Sequence, residues 1–169
     1  MTVVAAPSNP PASTEAVWQM LREVADPELP FLSVVDLGVV RDVRLGGDRG
    51  VEVDITPTYS GCPAMEVIEN TVRDRLVEAG FEDAHVIRRF RPAWTTDWMT
   101  EEGKRLLEAH GYAPPGKAPA ADELVQLPVS CPHCKSRNTE VVSEFGSTAC
   151  KALRRCRDCG EPFDHFKPI

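Results

Sequence analysis

The chain has 169 residues, of which 42% are hydrophobic, and a formal net charge of −7. This length suits one ordinary domain plus a small one, and the composition is that of a globular protein. The sequence has no apolar run of about 18 residues, and its first residues lack the basic and apolar regions of a signal peptide. We therefore expect a cytoplasmic protein with no membrane span.

The charge is divided unevenly along the chain. Residues 1–127 carry 12 Lys/Arg and 21 Asp/Glu, whereas residues 128–169 carry 7 and 5. Four metal-bound thiolates in the second segment would bring it close to neutrality, so that it would attract phosphates weakly. Nucleic-acid binding is therefore not expected.

The first half of the chain alternates between helical and strand patterns. Residues 1–12 are rich in Ala and Pro and are expected to be disordered, and a helix then begins at Ser13 or Thr14 and ends before Pro27. Residues 51–56 alternate between apolar and polar, and a glycine-containing turn joins them to a strand over 39–45. These two strands are predicted to form a hairpin.

The next elements carry their own boundary signals. A helix is predicted from Pro63 to Ala79 with Gly80 as its C-terminal cap, followed by a strand over 84–90. A further helix is capped by Thr100 and runs through His110. The Pro/Ala-rich segment 113–127 reads as a linker, so we expect an α+β domain over 13–112 and a second domain over 128–169.

Two Cys-x-x-Cys pairs define the second domain. Each pair aims two thiolates at one point about 2.3 Å from a shared ion, and two pairs complete a tetrahedron around zinc. A rubredoxin-like iron site uses the same spacing, so iron remains open. The predicted metal ligands are Cys131, Cys134, Cys156 and Cys159.

Cys62 is the candidate reactive thiol. It lies between a predicted strand and a predicted helix, where Pro63 would be the first helical residue and Cys62 the N-cap. The helix dipole at that position should stabilise a thiolate and lower its pKa, which suits a nucleophile or a metal ligand. The alternative is a small buried residue at a tight turn.

Two other features remain open on sequence grounds. Cys150 lies between the two Cys-x-x-Cys pairs, and it is either an alternative metal ligand or a buried apolar thiol. The segment from Arg88 to Met99 mixes arginines with Trp94 and Trp98, which suits an interaction surface, although such aromatic residues also commonly close a core.

Several motifs together carry a family resemblance. The first domain contains Asp26-Pro27-Glu28, Asp36-Leu37-Gly38-Val39-Val40 and the turn from Thr58 to Pro63, and it resembles the SufT-type and cytosolic iron–sulfur assembly family. With the added motifs Trp94 to Trp98, Gly146 to Lys151 and Glu161 to Asp164, residues 13–169 resemble the PaaD family, the accessory D components of phenylacetyl-CoA epoxidase. Arg154 and His165 stand where aromatic residues are expected in that family.

The resemblance implies an iron–sulfur-assembly-type α+β domain followed by a zinc ribbon. It implies a bacterial, non-catalytic maturation factor in aerobic phenylacetate breakdown, with Cys62 as the thiol that delivers iron or a transient iron–sulfur cluster. The implied partners are the reductase or oxygenase subunit of the epoxidase, and a homodimer is possible because one cysteine cannot hold a cluster. The alternative is a structural or coupling subunit in which zinc serves only folding.

Overall fold

The computed structural model describes residues 10–116 and 128–169. The expected linker lies mostly outside these residues, and so does most of the expected disordered N-terminus. The chain divides into two compact units, residues 1–92 and 93–169. Within the described part of the chain, no helix has the length and apolarity needed to cross a membrane.

The first unit is a three-stranded mixed sheet with two helices. Its elements are α1 (Thr14–Leu21), β1 (Val40–Gly46), β2 (Gly50–Ile55), α2 (Ala64–Glu78) and β3 (Asp83–Arg88). The strand order is β1-β2-β3, with β1 antiparallel and β3 parallel to β2. The predicted hairpin is confirmed, and α2 is the crossover that parallel strands require.

The core of this unit follows the sequence periodicity. In α2 the buried residues Ile68, Val72 and Leu76 recur at four-residue steps, which places them on one helix face. In β2, Val51, Val53 and Ile55 are buried and alternate with half-buried residues. Helix α1 begins where predicted, because the Ser13 side chain accepts a hydrogen bond from the Ala16 backbone N–H.

The second unit is a three-stranded antiparallel ribbon preceded by a helix. Its elements are α3 (Glu101–Ala109), β4 (Thr139–Ser143), β5 (Lys151–Cys156) and β6 (Pro162–Phe166). The order is β4-β5-β6, so β5 is the central strand. The Thr100 cap of α3 is confirmed, since its hydroxyl accepts from the Gly103 N–H at 2.9 Å.

Residues 93–116 belong with the ribbon. The Ala113 N–H donates to the Asp164 carbonyl at 2.8 Å, and the Phe166 N–H donates to the Ala113 carbonyl at 3.0 Å, so this segment extends the sheet beyond β6. The Trp94 ring lies 6.1 Å from that of Phe166. The expected first domain of 13–112 is therefore corrected, because the units divide between Pro92 and Ala93.

Candidate metal centre and thiol site

Four cysteine sulfurs meet at one end of the ribbon. All lie within 4.8 Å of one another, with Cys131 and Cys159 sulfurs 3.8 Å apart and Cys134 and Cys156 sulfurs 3.5 Å apart. A tetrahedron with metal–sulfur bonds of about 2.3 Å has edges of roughly 3.8 Å, so the spacing fits a four-coordinate ion. Zinc and iron fit this geometry equally.

The backbone of the two Cys-x-x-Cys turns explains how the sulfurs converge. In the first turn the Lys135 N–H donates to the Cys131 carbonyl, and in the second the Gly160 N–H donates to the Cys156 carbonyl. Both donors have positive φ, 65° at Lys135 and 81° at Gly160. Glycine adopts this conformation without strain, whereas nothing in the sequence signals it at Lys135.

The thiol of Cys156 has a lowered pKa. The backbone N–H groups of Cys159 and Asp158 point at its sulfur and lower its pKa to about 7, despite the opposing effect of burial. A thiol must lose its proton to bind a metal, and a lowered pKa makes that loss easier. The other ligands then complete a closed site with no open position.

Cys150 is not part of this cluster. It is buried just before β5, while Cys156 ends that strand, so an extended chain of six residues separates them by about 20 Å. Its sulfur instead lies 3.0 Å from the Thr148 hydroxyl. The alternative-ligand interpretation is therefore wrong for this fold, and the buried-thiol interpretation fits.

Cys62 lies in the turn that follows β2. Its N–H donates to the Tyr59 carbonyl at 3.1 Å, and its own carbonyl accepts from the Met65 N–H at 3.3 Å. The helix that follows starts one residue later than predicted, so Pro63 occupies the N-cap position and Cys62 precedes it. The residue is half-buried.

The expected low pKa of Cys62 is wrong. Burial raises the pKa of this thiol, and the negative charges of Glu28 and Asp26 raise it further, whereas hydrogen bonds from the Ala64 N–H and with Thr58 oppose the shift without reversing it. The prediction from the helix dipole did not include the acidic turn. At neutral pH the group is a protonated thiol.

The Asp26-Pro27-Glu28 turn is thus part of the Cys62 environment. The buried Asp26 carboxylate accepts hydrogen bonds from the N–H groups of Glu28 at 2.9 Å and Leu29 at 2.8 Å, which fixes the turn. Glu28 is left exposed. The sequence alone does not connect Glu28 with the cysteine, because 34 positions separate them.

The aromatic and basic segment is divided between structural roles. Trp94 is 3% exposed and packs in the second unit, so the core-closing alternative is correct for this residue. Arg88 pairs with Glu69 at 2.9 Å, and Arg89 pairs with Asp54 at 3.2 Å. These arginines are satisfied within the first unit, which weakens the interpretation of the segment as a docking surface.

Comparison with known proteins agrees with both units. Residues 14–86 match the model of the iron-sulfur cluster assembly protein family, and residues 116–167 match that of the PaaD zinc beta ribbon domain. The chain is 45% identical over 159 residues to an Escherichia coli (strain K12) protein named as the D component of 1,2-phenylacetyl-CoA epoxidase. The match covers 94% of this chain and 95% of that protein. The chain belongs to this D-component family.

Other relatives match about half of the chain. An Fe-S protein maturation auxiliary factor of Porphyromonas gingivalis (strain ATCC BAA-308 / W83) is 38% identical over 89 residues, which is 52% of this chain and 84% of that protein. A solved structure of a domain of unknown function, DUF59, from Bacillus anthracis aligns with a TM-score of 0.50 and 28% identity. It covers 55% of this chain and 89% of that chain. The α+β assembly-type domain and the ribbon are thereby confirmed.

Proposed function

We propose that this protein is a non-catalytic accessory factor of a phenylacetyl-CoA epoxidase system in aerobic phenylacetate degradation. In this proposal it acts in the cytoplasm and delivers iron or an iron–sulfur cluster to the reductase or oxygenase subunit. The single observation that carries the proposal is the half-buried Cys62, which lies in the unit that matches the iron–sulfur assembly family. The relatives named as maturation factors support it.

In this proposal, Cys62 exchanges its thiol proton for a metal ion. Its sulfur releases a proton when it binds iron, and the Ala64 N–H and Thr58 then stabilise the sulfur's negative charge. The charges of Glu28 and Asp26 disfavour a bare thiolate, but they attract a cation. The site therefore favours a thiol that remains protonated until cationic cargo arrives.

The ligand count requires a partner. Residues 1–92 contain one cysteine, and an iron–sulfur cluster is usually held by four protein thiolates. A second copy of the chain or the client protein must supply the others. Transfer within a complex with the client fits this requirement, because the client's own ligands then complete the set.

The ribbon has a different role in the proposal. Its four sulfurs form a closed set, which is typical of structural sites, whereas a catalytic metal keeps an open position. Zinc is the metal we propose for it, and it would contribute to folding rather than to transfer. Iron in its place would leave this structural role unchanged.

A second candidate function is favoured by the raised pKa of Cys62. A protonated thiol is a poor metal ligand and nucleophile, which suits a coupling subunit that docks on the epoxidase and uses zinc only to fold. In that case Cys62 is dispensable for the client.

The two functions differ in the effect of Cys62→Ala. The variant is expressed together with the epoxidase subunits without oxygen, with Cys150→Ser as the matched control, and the iron in each purified client is measured. Delivery predicts an iron-poor client with Cys62→Ala only. Normal client iron together with intact complex formation would support the coupling role and rule out delivery through this thiol.

A further inference from the structure

A group of basic side chains lies on the ribbon sheet. Arg154 is in β5 and His165 in β6, where the register pairs Ala152 with His165 and Arg154 with Phe163. Residues two apart on a strand share a face, so Arg154 and His165 are diagonal neighbours on the same face. Lys167 follows His165 by two residues, and the charges of Arg154 and Lys167 both act on the imidazole. We call these three residues the basic cluster.

Arg154 has an unused donor inside the protein. One terminal nitrogen donates to the Thr139 hydroxyl at 3.3 Å, but the Nε–H is buried and has no hydrogen-bond partner among the described residues. Buried polar groups are nearly always hydrogen-bonded, so this donor calls for an acceptor such as a water molecule or an anion. The free Nε–H is therefore a donor site for a ligand.

His165 is the second buried polar group of the cluster. It is 7% exposed, and within residues 10–116 and 128–169 its ring makes no hydrogen bond or ion pair. Burial, together with Arg154 and Lys167, lowers its pKa to about 4. At neutral pH the ring is uncharged and offers one N–H donor.

The positive charge of the cluster is poorly balanced. Glu144 acts on Arg154 from a distance, but the part of the chain that the structure describes contains no ion pair between them. The Lys167 ammonium donates to the Glu144 backbone carbonyl at 3.1 Å and lies 4.8 Å from the Phe145 ring centroid. Neither contact neutralises its charge.

We propose that Arg154, His165 and Lys167 form a binding site for an oxyanion of the phosphate class. A phosphate group has several acceptor oxygens, which can take the Arg154 Nε–H and the His165 N–H together. Its negative charge compensates two cations at once. A guanidinium is especially suited to this role, because its fixed donors match phosphate geometry. This inference is independent of the function of Cys62.

The test uses the metal-loaded full chain and inorganic phosphate at constant ionic strength and neutral pH. Binding is followed by phosphorus NMR and by the Nε–H signal of Arg154. We expect a saturable shift of both signals. Arg154→Tyr, which places an aromatic residue as expected in the family, should weaken binding about tenfold or more, since it removes a charged hydrogen-bond donor.

The matched control is Arg155→Met. Arg155 is exposed, carries the same charge and lies on the other face of β5, so its loss should change phosphate affinity less than about twofold. Glu144→Gln should tighten binding, because it removes a carboxylate whose charge acts on Arg154. Arg154→Lys keeps the charge without the Nε–H and serves if the Tyr variant does not fold; it should also bind more weakly.

Several results would overturn the proposal. Phosphate shifts that never saturate, or an equal loss with Arg155→Met, would mean diffuse attraction to a basic surface. Displacement of phosphate by an equal concentration of acetate would mean a carboxylate site instead. A sugar phosphate is tested last to distinguish the two sources of the oxyanion. If it binds as tightly as inorganic phosphate or more tightly, the ligand is a phosphorylated metabolite. If it binds more weakly, the ligand is the free ion.

Discussion

The carboxylate of Asp158 accepts a 2.7 Å hydrogen bond from the side-chain amide of Asn138, and the two residues belong to opposite halves of the metal centre. Asp158 lies between the last two cysteine ligands, and Asn138 follows the first pair. The Ser136 hydroxyl donates to the same carboxylate, and these bonds lower the pKa of Asp158. One side chain thus holds the two Cys-x-x-Cys turns together.

Asp158→Ala is expected to weaken metal binding by roughly tenfold, because outer-shell contacts of this kind orient the ligands. Competition with a coloured zinc chelator measures the affinity. Glu161→Ala, an exposed acid just beyond Cys159, is the control and should leave the affinity unchanged. Equal losses in both variants would show that only the overall charge matters.

Replacement of Cys150 by Ser should leave the metal content of the protein unchanged, whereas Cys159→Ser should reduce it. The reason is that Cys150 lies at the opposite end of β5 from the metal centre. Metal analysis of the purified variants decides the point. Loss of metal from Cys150→Ser in a folded protein would contradict the structure and restore this cysteine as a ligand.

Cys62 should react slowly with iodoacetamide at neutral pH, since burial and nearby carboxylates raise the pKa of its thiol. Glu28→Gln removes one of those charges and should speed the reaction. Peptide mass spectrometry of the metal-loaded protein follows Cys62 separately from the ribbon cysteines. Glu78→Gln is the control, because it lies at the far end of α2, roughly 20 Å away.

The opposite finding for Cys62 would also be informative. Rapid alkylation of the unmodified chain, with no effect of Glu28→Gln, would mean that the helix N-terminus dominates the thiol after all. The expectation of a low pKa would then be correct.

The second unit should lose stability as the pH falls from 6.5 toward 4. His165 has a pKa of about 4 in the folded chain, against 6.5 for a free histidine, so only the unfolded chain takes up a proton in this window. Between about pH 7.5 and 5.5 the expected loss is about 1 kcal/mol. Urea unfolding at each pH measures it.

His165→Tyr should remove this part of the pH dependence, because no group remains at that position to be protonated on unfolding. His85→Gln, which replaces an exposed histidine of the first unit, should retain the dependence. If His165→Tyr and the unmodified chain lose stability in parallel, protonation of the metal ligands is the cause instead.

A fragment of residues 93–169 is expected to fold with metal, whereas a fragment of 113–169 should be less stable. The longer fragment retains Trp94, which packs against Phe166, and loss of a buried tryptophan typically costs about 3–5 kcal/mol. Thermal unfolding of the two metal-loaded fragments makes the comparison. Equal unfolding midpoints for the two fragments would place the start of the second unit at residue 113.

Sequence periodicity was sufficient for most helices and strands of the first unit. The apolar steps of α2 and the alternation of β2 are local signals, and the structure realises them. Strand β5 carried no such signal, because Lys151, Arg154 and Arg155 interrupt any apolar alternation. It is a strand because β4 and β6 pair with both of its edges, which is a tertiary effect.

The metal ligands were predictable because they too are marked by a local sequence pattern. Cys-x-x-Cys spacing is a property of one turn, and only the pairing of the two turns depends on the fold. The pKa of Cys62 was not predictable, because the acidic turn that raises it is distant in the sequence. The boundary between the two units was not predictable either, since the amino-acid composition does not reveal that Ala113 pairs with β6.

The protonated state of Cys62 affects how fast this thiol is oxidised in the presence of oxygen. Peroxide attacks thiolates rather than thiols, so a half-buried cysteine with a raised pKa is oxidised to sulfenic acid slowly. In the aerobic pathway that we propose for this protein, such protection would lengthen its working life. The two carboxylates beside the sulfur would then act as an antioxidant device.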